Sequence, residues 1–414
     1  PALAGTRTDP SDALRARSDA AGRVGARWRG VLVSAEMALA VVLVAGAGLM
    51  VKTLWRLGHV DPGFQAEHAL TFRLQPTGKS TQQLREYFKS VVEEVRALPG
   101  VQTVGGIHHL PMSGYNWWAD IEVEGRPVSP GEAPVRGGWR IIEGDYMRTM
   151  GIRMISGRSF MATDVATTER VALINDVLAR RLFPGEDALG RRFRAGNATR
   201  GEWVRVIGVV AGVRHQAVEL EPDPEMYFPL GQVAMSFLNI VVRTTVDPLS
   251  IAEAARQKVR GLDPAVPIAG MRALTAVVSE SSARQRLVLR LLAAFATIGL
   301  LLAAIGVYAV VAFGVTQRRH EIGVRSALGA RRQQIVALIL RQGLGHTLAG
   351  LAVGIPAAFA LTRTMRGVVY GVSTADPLTY VIVAVVLLVA AVLASWIPAR
   401  RAAALNPVAV LKGD

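Results

Sequence analysis

Leu378–Ile397 reads LTYVIVAVVLLVAAVLASWI, without one charged side chain. Wound as an α-helix, a run of that length extends about 30 Å, the thickness of a bilayer's hydrocarbon core. Lipid offers no partners to backbone N–H and C=O groups, so such a run spans as a helix that satisfies its own hydrogen bonds. Three further stretches read the same way: residues 31–51, 287–314 and 344–361. The third holds Gly350, Gly354 and Pro356 and is expected to be broken there, with an amphipathic lead-in over residues 333–342. The fold class expected is an α-helical membrane protein with four transmembrane helices and one large α+β extracytoplasmic domain.

The domain occupies residues 52–286, where charges are frequent, Pro and Gly are dense and short apolar alternations replace long runs. The spacing of Leu84, Phe88, Val91, Val92 and Val95 predicts a helix over 82–98, stopped by Pro99–Gly100. Residues 101–107, 119–123, 203–213 and 238–243 read as strands, and 171–182 and 248–262 as helices. Residues 275–290 read as a helix that runs on into the second span. More than two hundred residues of this kind can bury their own core.

Composition narrows the function. Of 414 residues 51% are hydrophobic, and 47 Lys and Arg against 32 Asp and Glu leave a net charge of +15. The basic residues crowd beside the apolar spans and no recognition-helix or RNA-binding signature accompanies them, so the partner implied is a lipid bilayer and not nucleic acid. With no cysteine, disulfides, thiolate catalysis and Cys-ligated metal sites are excluded.

Charge also orients the chain. Arg15, Arg17, Arg23, Arg27 and Arg29 fill the lead-in over residues 1–30, Arg318, Arg319, Arg325, Arg331 and Arg332 the segment 315–343, and Arg400, Arg401 and Lys412 the tail over 398–414. Four spans put these three segments on one side, which the positive-inside rule makes cytoplasmic. The domain and the Arg363–Arg366 loop then face outward. The termini also resemble each other: Pro1-Ala2 aligns with Pro398-Ala399, Asp9-Pro10 with Asn406-Pro407, and Leu14-Arg15 with Leu411-Lys412, at one constant offset. Chance between two Ala-rich basic segments is one reading. The other is duplication, with residues 1–15 the tail of a preceding module and this chain the second half of a longer permease; the absent initiator Met fits it.

The segment QRRHEIGVRSALGA, Gln317–Ala330, interleaves Ile322 and Leu328 with Arg318, Arg319 and Arg325. It reads either as a basic interfacial anchor touching only headgroups or as a short amphipathic helix placed to press on a cytoplasmic partner. The pattern Arg-x-His-Glu-Ile-Gly-x-Arg-x-Ala-Leu-Gly-Ala resembles the signature of the FtsX-like/MacB-like ABC transporter permease family. VSAEMALAVVLVAGAGLM (33–50) resembles the family's first span. WWADIEVEGRP (117–127), MGIRMISGRSF (150–160) and VIGVVAGVRH (206–215) resemble its external domain, and PARRAAALNPVAVLK (398–412) its C-terminal end. The resemblance is nearest to duplicated bacterial permeases carrying two such modules and no fused ATPase.

That resemblance implies a MacB-like periplasmic core domain, stalk helices prolonging the first two spans, and a bacterial inner or plasma membrane location. It implies a coupling helix that docks on a cytoplasmic ABC ATPase through Arg318, Arg319, Glu321, Ile322, Gly323, Arg325, Gly329 and Ala330. The ATPase would bind ATP and Mg, this chain holding no cofactor and not being an enzyme. A second permease module, the chain's other half or a homodimer mate, is a further implied partner. The implied function is mechanotransmission for export, efflux or lipoprotein and peptide handling. The alternative is FtsX-like control of an external partner such as a cell-wall hydrolase, and a membrane-anchored sensor or enzyme is a third.

The remaining residues fit this reading. Spans two and four carry almost no polar group, whereas a channel or secondary transporter needs them at mid-membrane. Glu36 is expected near the cytoplasmic interface, snorkelling or paired with Arg29, a reading favoured over a proton-relay role. Gly350-x-x-x-Gly354 suits close packing of two helices. Gly78-Lys79-Ser80 is not a phosphate loop, because the position that loop reserves for its first glycine is Arg73. His108-His109 reads as ordinary strand or loop histidines that do not share a face, no metal site is expected, and no nucleophile motif is visible.

Overall fold

The computed structural model describes residues 10–57, 60–126, 131, 133–199, 201–328, 330–364 and 376–404. It divides into two compact units, one made of residues up to 58 and from 285 onward, the other of residues 59–284. The resemblance between the termini and the loop holding Arg366 lie partly or wholly outside the described residues.

After α1 (Pro10–Leu57), the α+β unit follows as β1 (Ala69–Leu74), α2 (Thr81–Arg96), β2 (Val101–Ile107), β3 (Trp118–Val123), β4 (Val135–Gly144), α3 (Tyr146–Met150), β5 (Met154–Gly157) and β6 (Val171–Asn175). It continues through α4 (Asp176–Leu182), β7 (Arg192–Ala195), α5 (Gly196–Thr199), β8 (Val204–Val210), β9 (Glu225–Pro229), β10 (Leu238–Thr244), a 3-10 turn at Pro248–Ile251, α6 (Ala252–Leu262), β11 (Ile268–Ala273) and α7 (Leu274–Ser281). The helical unit is completed by α8 (Ala283–Gln317), α9 (Arg319–Ala327), α10 (Arg332–Thr364) and α11 (Pro377–Ala403).

β4 organises the α+β unit. Gly138 pairs with Trp118 on one edge and Glu225 on the other, and Ile142 pairs with Ile107 and Pro229, so β3 and β2 share one edge of β4 in succession while β9 lines the opposite edge. Two lobes result. In one, β3, β7, β8, β6, β9 and β4 pair round into a closed ring. In the other, β2, β10, β1 and β11 form an antiparallel sheet. α2 and α6 cover that sheet and bury Phe72, Phe88, Val91, Ile240 and Val259. The ring's core takes Ile174, Phe193, Val206 and Phe228 together with Leu178 and Leu182 of α4.

α2 starts where a capping box fixes it. The Ser80 hydroxyl accepts the Gln83 N–H and the Gln83 side chain accepts the Ser80 N–H. Residues 171–182, expected as one helix, are instead strand then helix. Val171–Asn175 is buried throughout and pairs parallel to β8, and the Asn175 side chain accepts the Leu178 N–H to start α4 there. The helix expected over 275–290 is two, since Ser282 caps α7 before α8 begins. The break expected at Pro356 is absent: α10 runs unbroken from Arg332 to Thr364. One missing donor and its local clash are absorbed where neighbouring helices hold the chain in place.

A buried polar network joins β4 to β9 and to the segments before β3 and after β8. Arg140, on β4, is fully buried. Its Nη2 donates to Glu225 Oε1 at 2.7 Å and also to Asn116 Oδ1, its Nη1 to the Trp139 carbonyl at 2.9 Å, and its Nε to His215 Nδ1 at 3.3 Å. Tyr227 donates its hydroxyl to Glu225 Oε2 at 2.7 Å. Both charges are thus neutralised and hydrogen-bonded, as burial demands. Arg140→Met, which strands Glu225, is expected to lower the unfolding free energy of the α+β unit by about 3–5 kcal/mol, and adding Glu225→Met should recover most of it. Urea unfolding followed by tryptophan fluorescence reads both; a double variant as unstable as the single one would contradict the pairing.

Candidate functional site

The segment between α8 and α10 is a separate helix. Arg318 leaves the helical path at φ −105° and ψ 18°, ending α8, and α9 is nine residues long. Its last turn closes with the Leu328 N–H on the Val324 carbonyl at 3.0 Å and the Ala330 N–H on the Arg325 carbonyl at 3.0 Å. α10 opens with Gln334 Oε1 accepting the Arg331 N–H at 2.9 Å.

Two faces of α9 differ sharply. Ile322 is 4% exposed and Gly323 is buried. Ile322 belongs to the same core as Val311 of α8, Ile335 and Ile339 of α10, and Ala399 and Ala402 of α11. The other face presents Arg319, His320, Glu321, Val324 and Arg325, and Leu328 just beyond it is 83% exposed. Glu321 and Arg325 form an exposed i,i+4 ion pair at 2.8 Å, which contributes about 0.3–0.5 kcal/mol to the helix. Of the residues expected to contact a partner, then, Arg318, Arg319, Glu321 and Arg325 lie on the open side, and Ala330 is partly buried. Ile322 and Gly323 point into the bundle, and Gly329 lies outside the described residues. The sequence pattern does not single out Val324, whose exposure is decided by helix phase, which the Arg-rich spacing does not reveal.

Behind α9, α10 lies directly on α1. A Cβ placed on Gly354 would sit 2.8 Å from Val41 Cβ and 2.9 Å from Ala38 Cα; on Gly350 it would meet Met37 Cβ and lie 2.9 Å from the Ser34 carbonyl oxygen. Only residues without a side chain permit that approach. Glu36 lies beside Gly306 of α8, where a Cβ would meet its carboxylate. Four helices of this unit are long and apolar enough to cross a membrane: Gly30–Arg56, Arg286–Gln317, Arg332–Arg363 and Pro377–Ala403.

Residues 293–407 match the family model for the FtsX-like permease C-terminal region, and residues 37–261 the model for the MacB-like periplasmic core domain. The chain belongs to this permease family. The permease is 28% identical over 289 residues to the uncharacterized ABC transporter permease YknZ of Bacillus subtilis (strain 168), an alignment covering 66% of the chain and 68% of YknZ. It is 30% identical over 277 residues to the macrolide export ATP-binding/permease protein MacB of Azoarcus sp. (strain BH72), covering 63% of the chain but only 40% of that MacB. Among solved structures, the periplasmic region of MacB from Actinobacillus actinomycetemcomitans matches at 14% identity and a TM-score of 0.36, over 53% of this chain and 94% of that one. The family assignment rests on the sequence models and not on that structural likeness.

The α1–α10 contact of the permease predicts a specific sensitivity. Gly354→Leu forces a side chain into Val41 and Ala38 and is expected to cost the helical unit about 1–3 kcal/mol or more, while Gly345→Leu, at a glycine whose added Cβ would meet nothing within 4 Å, costs little. Thermal aggregation of the two variants in detergent should separate by several degrees; equal curves would contradict the contact.

Proposed function

We propose that this chain is the permease subunit of an ABC-type transporter, passing ATP-driven motion from a separate cytoplasmic ATPase to a domain outside the membrane. The observation that carries the proposal is the pairing on α9 of a buried anchor, Ile322, with an open face carrying Glu321, Val324 and Arg325 and ending at Leu328. An anchored helix cannot be pushed without moving the bundle that holds it. A loose basic loop would absorb the push.

Membrane insertion is part of the reading. α8 exposes Leu291, Phe295, Ile298, Leu301, Leu302 and Ile305, and α11 exposes Val381, Ile382, Val385, Val389 and Leu393. Helices apolar on their open side as well as their packed side belong in lipid or against another apolar helix. α8 is 35 residues long, about 52 Å of helix against about 30 Å of hydrocarbon. The four helices thus cross the bacterial cell membrane with the termini and α9 on the cytoplasmic side, following the Arg-rich segments. A second permease module would cover part of the apolar surface, and the ATPase would hold ATP and Mg.

Export by mechanotransmission follows. Work enters at α9, is carried by α8 and α10, and reaches the α+β unit without cargo passing between the helices. The MacB relatives are named as macrolide exporters; efflux or the handling of peptides or lipoproteins is the corresponding activity proposed for this chain.

Leu328→Glu puts an unpaired charge where a partner must close over an apolar side chain. It is expected to weaken ATPase association at least about tenfold, with insertion and the helical unit's stability unchanged because Leu328 is 83% exposed. Co-purification of a co-expressed ABC ATPase in nanodiscs reads it, and unaltered association and ATPase stimulation would overturn coupling through this face.

A further inference from the structure

In the helical unit, α1, α8 and α10 border a cleft of about 830 Å³. Its lining runs from Gly30 to Ala38 on α1, from Val310 to Arg318 on α8 and from Gln342 to Val353 on α10. At 1.5 Å per residue these stretches are about 12, 12 and 16 Å long. One leaflet's share of a bilayer's hydrocarbon is about 15 Å. The cleft is therefore as deep as one leaflet, and it opens at the end of the bundle where α9 lies.

The lining changes character along that depth. Gln317, Arg318 and Gln342 stand at the α9 end, and Ala38, Val310 and Val353 at the far end. Two glycines set the polar end. The Gln342 amide lies over Gly314, where a Cβ would come 3.1 Å from its Nε2, and the His346 ring lies over Gly30, where a Cβ would come 2.8 Å from its Cε1. Ser34 Oγ donates to the His346 carbonyl at 3.4 Å, which joins α1 to α10 below the mouth. Polar groups at one end and an apolar wall one leaflet deep match a phospholipid, headgroup outward and chain inward.

Charge selects among occupants. No acid lines the cleft among the described residues, and Glu36 of α1 sits instead against Gly306 of α8. Arg318 is exposed and makes no ion pair among the described residues. Arg319, Arg331 and Arg400 crowd the same end of the bundle. A second copy inserted the same way would bring like charges toward Arg318, an unfavourable juxtaposition. An anionic headgroup brings the missing counter-charge, as basic pockets between membrane helices do with acidic lipids. Trp28, 66% exposed two residues before Gly30, places the mouth at the depth where indole rings settle, the membrane–water interface.

We propose that this cleft holds one anionic phospholipid of the leaflet on the α9 side. The phosphate accepts from the Arg318 guanidinium and the Gln342 amide, and one acyl chain runs between α1 and α10 past Val310 and Val353. The inference rests on the insertion of the helical unit proposed above. Lipid binding is read with no ATPase present, so a failure of coupling through α9 leaves its outcome unchanged.

The test is native mass spectrometry of the full chain in detergent, titrated with palmitoyl-oleoyl phosphatidylglycerol or with the phosphatidylcholine of the same chains. The first phosphatidylglycerol is expected to saturate at one per chain and to bind at least about fivefold more tightly than phosphatidylcholine, the contribution of one arginine near a membrane surface. Arg318→Gln should narrow that preference to less than about twofold. Ala349→Trp, at an exposed position in the lining, should remove the first bound lipid. Leu348→Trp, which adds the same ring at an exposed neighbour outside the lining, should keep it. Glycerol 3-phosphate, a headgroup without chains, should not displace the lipid; displacement by it would mark a simple anion site and overturn the proposal. Equal retention of the two lipids, or equal loss in Ala349→Trp and Leu348→Trp, would also overturn it. Retention of neither lipid by the unaltered chain would overturn the membrane reading with it.

Discussion

α10 can lie against α1 only because Gly350 and Gly354 carry no side chain where Met37, Ala38 and Val41 press on it. In lipid, helix association draws little from hydrophobic transfer and depends on such close packing. The contact therefore decides whether the helical unit is a stiff body or a set of loosely tethered rods. α9 inherits that stiffness through Ile322, which shares its core with α8, α10 and α11. A displacement imposed at α9 is then a displacement of the bundle. Lys52 and Asp376, paired at 2.8 Å, tie α1 to the start of α11 near the bundle's other end.

The two units are stabilised by different physics. The helical unit exposes apolar faces that only lipid or another apolar surface can cover. The α+β unit buries two hydrophobic cores, and at β4 and β9 it holds Arg140, Glu225, Asn116, His215 and Tyr227 in a network where both charges find partners. The Arg140–Glu225 pair ties β4 to β9, whose strands run parallel with Gly138 opposite Glu225 and Arg140 opposite Tyr227. Burial holds His108 and His109 below the ordinary imidazole range, and Arg140 adds to that shift.

Much of this was legible in the sequence because it rests on local patterns. Long uncharged runs mark the four helices, and the apolar face of α2 ended by Pro99–Gly100 marks that helix. The segment that forms α9 stands out as a basic island between two long apolar runs. What stayed hidden depends on tertiary context. β4 reads VRGGWRIIEG, with two arginines and three glycines, and nothing local announces that it sits at the centre of the sheet. Val171–Asn175 reads as helix in the sequence because a short, fully buried apolar run carries no period of its own. Strand alternation puts His108 and His109 on opposite faces, yet both follow the end of β2 at Ile107, where alternation no longer applies, and their ring centroids lie 4.3 Å apart. Which face of α9 is open followed from packing alone.

The account depends on work entering on one side of the membrane and emerging on the other. The chain has no cysteine, so single introduced thiols report without background. The most direct measurement is labelling of Leu328→Cys and Leu249→Cys, both at exposed positions, with a membrane-impermeant maleimide in intact cells and in inverted vesicles. The account predicts that Leu249→Cys reacts only in cells and Leu328→Cys only in inverted vesicles. Labelling of both from the same side would contradict it.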